Sequence, residues 1–248
     1  MDSLYYSCFF FFGTIFGSFI NVIIYRIPNG LSIIHPRSHC PNCKNQIPFY
    51  RNIPIFTYLI QNGRCHDCKN KISINYFIVE LIIGIIWIFG AINYNQLNEV
   101  IYYNIISSLL LAIAYIDKKY FIIPLELSIS IFIIILFYLF IFDNILGNFN
   151  GIIYGLGYLS FIFILTKIIT KRQGLGYGDL QLIFILGFWI SDIRILLVIF
   201  LSALFALLIW IFISIKDGFD KNRPLPFGTF LTITSIIVYP LEMEFLLF

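Results

Sequence analysis

The sequence predicts an all-α polytopic membrane protein with about eight transmembrane helices and one small polar domain. Three observations lead to this fold class. Of the 248 residues, 60% are hydrophobic and 12% are charged, whereas soluble domains usually carry about 25% charged residues. The apolar residues form separate runs along nearly the whole chain, and Lys and Arg cluster in alternate connections between those runs.

The apolar runs have the lengths of membrane spans, because a helix needs about 20 apolar residues to cross about 30 Å of hydrocarbon. The first run lacks the preceding basic segment and the cleavage site of a secretory signal, so we expect a retained span. The sixth run is short, which often marks a functional site among buried helices. The candidate spans are residues 4–25, 75–94, 100–116, 121–142, 151–169, 180–190, 195–215 and 229–248.

The basic residues predict the orientation, because Lys and Arg accumulate on the cytoplasmic side of a membrane. Fifteen of the 16 Lys and Arg residues fit a topology with the N-terminus out, loop 26–74 in and the C-terminus out, and only Arg194 does not. We therefore expect a first transmembrane helix at 1–25, a cytoplasmic polar domain at 26–74 and a multi-helix membrane domain at 75–248.

Four of the five cysteines lie in the polar domain as two Cys-x2-Cys pairs separated by 21 residues. Each pair can aim two thiolates at one ion, and two pairs complete a tetrahedral zinc site. Disulfides are disfavoured in the cytoplasm, so zinc is preferred over redox-active or unpaired thiols. Four thiolates leave no position for water, and the metal would stabilise a domain too small for a large core. The expected ligands are Cys40, Cys43, Cys65 and Cys68.

Three neighbouring or similar residues are not expected to bind this metal. His39 and His66 stand beside the cysteines and could substitute for a ligand, but exposed loop histidines are the simpler interpretation. Cys8 lies inside the first span, where a small apolar residue is expected.

Two aspartates, Asp117 and Asp179, stand at the edges of predicted spans, and the topology places both at the cytoplasmic boundary. Asp179 could be a helix N-cap. Asp117 could pair with Lys118 or Lys119. However, the helix dipole disfavours a carboxylate at a helix C-terminus, so something should compensate for Asp117.

A functional interpretation joins these two aspartates. Two carboxylates that share one proton can hydrolyse an amide, one activating water and the other protonating the carbonyl oxygen. Gly176 and Gly178 permit a close approach of backbone or substrate just before Asp179. Glu80 and Glu126 also lie in spans, and they could line a polar cavity or form structural hydrogen bonds between helices.

From Gly17 to Phe230 the chain resembles the type IV prepilin peptidases, also called leader peptidase/N-methyltransferases, which are membrane aspartyl peptidases with a Gly-x-Gly-Asp motif. Eight motifs in order carry the resemblance. They are Gly17-Ser18 with Asn21, Arg26 and Pro28; Cys40-Pro41-Asn42-Cys43; Arg51-Asn52-Ile53-Pro54; Gly63-Arg64-Cys65-His66-Asp67-Cys68; Tyr76 with Val79-Glu80; Asp117 with Ile123-Pro124; and Gly176-Tyr177-Gly178-Asp179, followed by Pro226-Phe227-Gly228-Thr229-Phe230 as the closing motif.

The resemblance implies catalytic roles for Asp117 and Asp179 in cleaving the leader of prepilins or pseudopilins at the cytoplasmic face of the bacterial inner membrane. It also implies N-methylation of the new N-terminus from S-adenosylmethionine, although the sequence contains no glycine-rich nucleotide-binding fingerprint for that cosubstrate. The residues that bind this cosubstrate stay unknown, and Gly63 and Glu80 are suggested only as positions that affect methylation. Lipid and prepilins are the expected partners, and nucleic acid is not.

Two departures from the family pattern concern positions near the aspartates. Leu125 follows Pro124 where the family commonly has an acid, and Gln181 stands where it commonly has Lys. Neither touches the expected catalytic pair, but both bear on activity and substrate preference.

Three alternatives stay open. One is a transporter or channel with Asp117, Asp179 and Glu80 along an ion path, which would spread acids through the bilayer depth. Another is an inactive assembly factor that binds pilins through the zinc loop. The third is a peptidase without methylation.

Overall fold

The structure, a computed structural model, describes residues 2–142, 148–171, 176–220 and 223–241. Within these ranges the chain forms nine α-helices and two 3-10 helices, and its β-type pairing is limited to two isolated bridges. The all-α fold class is therefore confirmed. The α-helices are α1 (Asp2–Arg26), α2 (Phe56–Ile60), α3 (Ile74–Asn93), α4 (Leu97–Tyr120), α5 (Leu125–Phe142), α6 (Phe149–Thr170), α7 (Tyr177–Ile190), α8 (Arg194–Asp217) and α9 (Phe227–Val238).

Six of these helices, α1, α3, α4, α5, α6 and α8, are long and apolar enough to cross a membrane, so the chain is a multi-pass membrane protein. The other two predicted spans correspond to α7 and α9, which have 14 and 12 residues. The last predicted span extends into 242–248, outside the described residues. Eight crossings, and the orientation, stay predictions.

The helix boundaries around Asp117 differ from the predicted ones. The predicted third span ends at Ile116, but α4 continues to Tyr120, so Asp117 lies inside the last helical turn. Helix α5 begins at Leu125 instead of Phe121, because Pro124 has no N–H and disfavours helical geometry in the residue before it.

The chain divides into two compact units, Met1–Ala112 and Ile113–Phe248. In the first unit α1 packs closely on α3 through small residues, which let helix backbones approach in a membrane. A Cβ on Gly17 would lie 2.8 Å from the Cα of Glu80, and a Cβ on Gly13 would lie 2.8 Å from Trp87. The polar domain joins these two helices and contains α2, both 3-10 helices and both β-bridges.

In the second unit, which includes the last turns of α4, close helix contacts also form at small residues. A Cβ on Gly187 of α7 would lie 2.7 Å from the carbonyl oxygen of Gly151 in α6. The hydroxyls of Ser202 in α8 and Thr234 in α9 are 2.6 Å apart. Polar contacts of this kind link helices where water is excluded.

Candidate active site

Asp117 lies in the last turn of α4 and is buried, with 5% of its surface exposed. Its Oδ2 atom accepts hydrogen bonds from the backbone N–H of Thr229 at 2.7 Å and from the Thr229 hydroxyl at 3.0 Å. The same hydroxyl lies 3.0 Å from the carbonyl oxygen of Ala114. Thr229 therefore contacts both the side chain of Asp117 and the helical turn that carries it.

The N-terminus of α9 provides the compensation that a carboxylate at a helix C-terminus requires. Thr229 is the third residue of α9, and the first four N–H groups of a helix have no partner within the helix. One of them is donated to Asp117, where the positive end of the α9 dipole faces the carboxylate. Lys118 and Lys119 form no ion pair with Asp117 among the described residues, and Lys119 lies over the Tyr120 ring instead.

Asp179 is the third residue of α7, not its N-cap as one interpretation of the sequence held. The N-cap is Gly176, whose backbone N–H donates to Oδ2 of Asp179 at 3.1 Å. The backbone N–H of Asp179 donates in return to the Gly176 carbonyl at 3.2 Å. Asp179 is half-buried. The two reciprocal hydrogen bonds with Gly176 hold its carboxylate at the N-terminus of α7.

The two carboxylates are brought together within the second unit. One side chain, Ile123, lies beside Gly178, which precedes Asp179, and beside Gly228, which faces Asp117. Ile123 packs against the first turns of α7 and α9. A Cβ on Gly178 in α7 would lie 3.3 Å from the Cβ of Ile123, and a Cβ on Gly228 in α9 would lie 2.9 Å from its Cδ1. A pair of neighbouring carboxylates can share one proton and so offer a base and an acid together.

Sequence reasoning did not single out Thr229, Gly228 or Ile123, although all three belong to motifs that carry the family resemblance. Thr229 had a weak local signal, because Pro226 and Gly228 precede an apolar run as at a helix start. Its partner stands 112 residues away in sequence, so the contact itself depends on the tertiary fold.

The two departures and Glu126 lie around this site without joining the pair. Leu125 and Glu126 are exposed in the first turn of α5. Glu126 therefore does not line an interior cavity. The side-chain nitrogen of Gln181 is buried and has no hydrogen-bond partner among the described residues.

The four predicted metal ligands, Cys40, Cys43, Cys65 and Cys68, converge in the first unit, with all four Sγ atoms within 4.8 Å of one another. The Sγ atoms of Cys40 and Cys68 are 3.8 Å apart. Sulfurs arranged tetrahedrally at about 2.3 Å from zinc stand about 3.8 Å from one another. The donor set therefore fits a single zinc ion.

Two turns of the same form build the cluster. In the first, Cys40 N–H donates to the Asn45 carbonyl and Lys44 N–H donates to the Cys40 carbonyl; in the second, Cys65 bonds in the same way with Asn70 and Lys69. Lys44 and Lys69 each have a positive φ, 59° and 58°. The repeated geometry aims each pair of thiols at one point.

The thiols of this cluster ionise unequally. The Asn70 backbone N–H and the Asn42 side chain lower the pKa of Cys68 to about 6. The Asn45 backbone N–H lowers the pKa of Cys43, but desolvation and hydrogen bonds with the other three cysteines outweigh it and raise that pKa to about 12. Repulsion between the negative charges of neighbouring thiolates keeps some of these thiols protonated, and a bound divalent cation would offset that repulsion.

The remaining metal-type side chains make other contacts. The Nδ1 atom of His39 lies 3.0 Å from the Arg37 carbonyl, and that of His66 lies 3.1 Å from Asp67. Neither histidine belongs to the sulfur cluster among the described residues. Cys8 is exposed on α1, also outside it.

Glu80 forms a second buried polar centre, in the first unit. Its Oε2 atom accepts the Ile55 N–H at 2.8 Å, and Ile55 has a φ of 62°, which a β-branched residue rarely adopts. Glu80 lines a cavity of about 460 Å³ together with Ser18, Asn21 and Tyr58. Glu80 therefore lines a cavity, and it also forms a structural hydrogen bond with the polar domain. A Cβ on Gly63, whose φ is 64°, would meet the Tyr58 hydroxyl at 2.8 Å.

Comparison with known proteins gives consistent matches. Residues 11–94 match the bacterial peptidase A24 N-terminal domain, and residues 104–211 match the type IV leader peptidase family. The prepilin leader peptidase/N-methyltransferase of Pectobacterium carotovorum is 31% identical, over 90% of this chain and 88% of the relative. Proteins of the same name from Dichelobacter nodosus and Pseudomonas aeruginosa are each 28% identical, over 92% and 93% of this chain and 88% of each relative. No solved structure matches the chain.

Proposed function

Because the chain belongs to the prepilin leader peptidase/N-methyltransferase family, we propose that it is a membrane-embedded aspartyl endopeptidase that cleaves the leader of type IV prepilins or pseudopilins. The observation that carries the proposal is the placement of Asp117 and Asp179 around Ile123 within one unit, each held by a backbone N–H at a helix start.

The chemistry follows from two neighbouring carboxylates. One carboxylate takes a proton from a water molecule as that water attacks the scissile carbonyl carbon, and the other, protonated, gives its proton to the carbonyl oxygen. Collapse of the tetrahedral intermediate breaks the C–N bond, and a proton passes to the leaving amine. Thr229 occupies Oδ2 of Asp117, so Oδ1 is the oxygen through which Asp117 would act.

We place this site at the cytoplasmic face of the bacterial inner membrane, with the N-terminus and C-terminus outside. The distribution of Lys and Arg supports that orientation. It also suits the substrate, because a basic leader stays in the cytoplasm while the apolar segment that follows it enters the membrane.

The relatives' shared name supports a second activity, N-methylation of the newly exposed N-terminus, with S-adenosylmethionine as the methyl donor. We further propose that Cys40, Cys43, Cys65 and Cys68 hold a structural zinc ion, which would stabilise residues 26–74 as a zinc-binding domain. Residues 1–25 would form the first transmembrane helix, and residues 75–248 the membrane peptidase domain.

The test is to incubate the purified, membrane-reconstituted protein with a prepilin that carries a basic leader, with and without S-adenosylmethionine, and to weigh the product. We expect a shortened product in both cases, and one added methyl group only when the donor is present. A shortened but unmethylated product would restrict the chain to peptidase activity. An uncleaved prepilin would contradict the proposed function.

A further inference from the structure

An open groove of about 1020 Å³, lined by both apolar and polar side chains, lies between α1 and the polar domain, within the first unit. Its helical wall includes Phe11, Ile15 and Phe19, whose side chains are almost half exposed. Helix α1 is long and apolar enough to cross a membrane. From Phe11 to Arg26 it rises about 22 Å, more than the depth of one leaflet's hydrocarbon.

The second wall of the groove comes from the polar domain and also carries large apolar side chains. Ile33, Ile34, Phe49 and Ile53 line it, and all four are exposed, Ile34 to 71% and Phe49 to 87%. Exposed apolar side chains that continue from a membrane-facing helix indicate contact with something apolar. Tyr50, which combines an aromatic ring with a polar hydroxyl, lines the same wall, as is common at a membrane interface.

Arg26 fixes the shape of this second wall. Its side chain is buried and donates through Nη1 to the Ser32 carbonyl at 2.8 Å and through Nη2 to the Pro36 carbonyl at 2.6 Å. These two bonds hold the segment that carries Ile33 and Ile34 against the end of α1. The groove is thus built by specific hydrogen bonds.

Arg37 places an available positive charge at the groove. It lines the groove, is exposed, and has no carboxylate partner among the described residues. The whole segment 26–74 has seven Lys and Arg residues and one acid, Asp67. Asp67 is already engaged by Arg51 and His66.

We propose that this groove binds one anionic phospholipid of the surrounding bilayer, with its acyl chain along Phe11, Ile15 and Phe19 and its phosphate at Arg37. The charge of the polar domain favours an anionic lipid over the basic leader of a prepilin, which it would repel. The inference goes beyond the peptidase and methyltransferase activities and does not depend on either.

The test uses the full chain in nanodiscs of phosphatidylcholine. A small fraction of the lipid is photoreactive phosphatidylglycerol or, in a matched sample, photoreactive phosphatidylcholine, with the reactive group on the acyl chain. Mass spectrometry then locates the adducts. We expect phosphatidylglycerol to label the groove peptides about five-fold more than phosphatidylcholine does, the ratio expected for one basic residue near a membrane surface.

Two variants that lose the same charge distinguish lipid binding at Arg37 from a general attraction of anionic lipid to the basic polar domain. Arg37→Gln should abolish the preference for phosphatidylglycerol, whereas Arg64→Gln, which removes an exposed charge outside the groove, should keep it. Zinc content, measured on both variants, verifies that the polar domain is folded. Equal labelling by the two lipids would mean that the groove only contacts the non-specific lipid around the protein, and it would overturn the proposal. An equal effect of both variants would also overturn it, as would displacement of the label by added prepilin.

Discussion

The Oδ2 atom of Asp117 accepts two hydrogen bonds from Thr229, one from its backbone N–H at 2.7 Å and one from its hydroxyl at 3.0 Å. Asp117 lies in the last turn of α4 and Thr229 in the first turn of α9. The positive end of one helix therefore meets a carboxylate at the negative end of another. This contact orients one of the two proposed catalytic groups without using a basic side chain.

Removing the Thr229 hydroxyl should impair cleavage. Thr229→Val keeps the size of the side chain and the backbone N–H but loses one donor to Asp117. Because a hydrogen bond to a charged group contributes about 1.5–3 kcal/mol, we expect kcat/KM for a full-length prepilin to fall about 10- to 100-fold. Thr229→Ser, which restores the hydroxyl, should stay near the wild-type rate. If the Val variant were as active as the Ser variant, the Thr229 hydroxyl would not contribute to cleavage.

A methyl group at position 228 should disturb the same contact sterically. A Cβ there would lie 2.9 Å from Ile123 Cδ1 and 3.1 Å from Asp117 Oδ2, so the Ile123 side chain and either the Asp117 carboxylate or the start of α9 have to shift. We expect Gly228→Ala to lower kcat/KM about 10- to 100-fold, since small misplacements of catalytic groups have effects of this size.

The matched control for this substitution is Gly157→Ala in α6, where a Cβ would meet nothing within 4 Å. Its cleavage rate and thermal stability should equal or exceed those of the wild type, because Ala favours a helix over Gly. Equal rates for the two alanine variants would show that the space at Gly228 does not matter for cleavage.

The sulfur cluster should hold about one zinc ion per chain. Replacing one of its four ligands, in Cys40→Ser, should reduce the zinc measured by elemental analysis of the purified protein to near zero and make residues 26–74 sensitive to protease. Cys8→Ser, the same chemical change on the exposed face of α1, should leave both readouts unchanged. Wild-type protein that has no zinc and four reactive cluster thiols would contradict this site.

How far the sequence predicts this molecule depends on the distance over which each signal acts. Apolar runs are local, and they correctly indicate an all-α membrane protein, down to the short helix that begins beside Asp179. The two Cys-x2-Cys pairs indicate a cluster because each pair forms its own turn, and the four sulfurs do converge.

Features that depend on how the helices pack against one another could not be predicted from such local signals. The N-cap pattern did not distinguish Asp179 from Gly176, because either residue can start α7. The sequence predicts the end of α4 too early, since Lys118 and Lys119 stop an apolar run but not a helix. The partner of Asp117 was expected only as some compensating group; that it is Thr229 follows from the packing of α9 on the end of α4.

The most direct test of the central claim is the rate of prepilin cleavage by Asp117→Asn and Asp179→Asn, reconstituted in membranes beside Asp217→Asn. Asp217, an exposed acid at the end of α8, provides the same change of charge away from the proposed pair. We predict that Asp117→Asn and Asp179→Asn each lower the rate at least about 100-fold, the effect of losing a general acid or base, while Asp217→Asn cleaves like the wild type. Substantial cleavage by either variant of the pair, at wild-type levels of membrane-inserted protein, would contradict the two-aspartate mechanism.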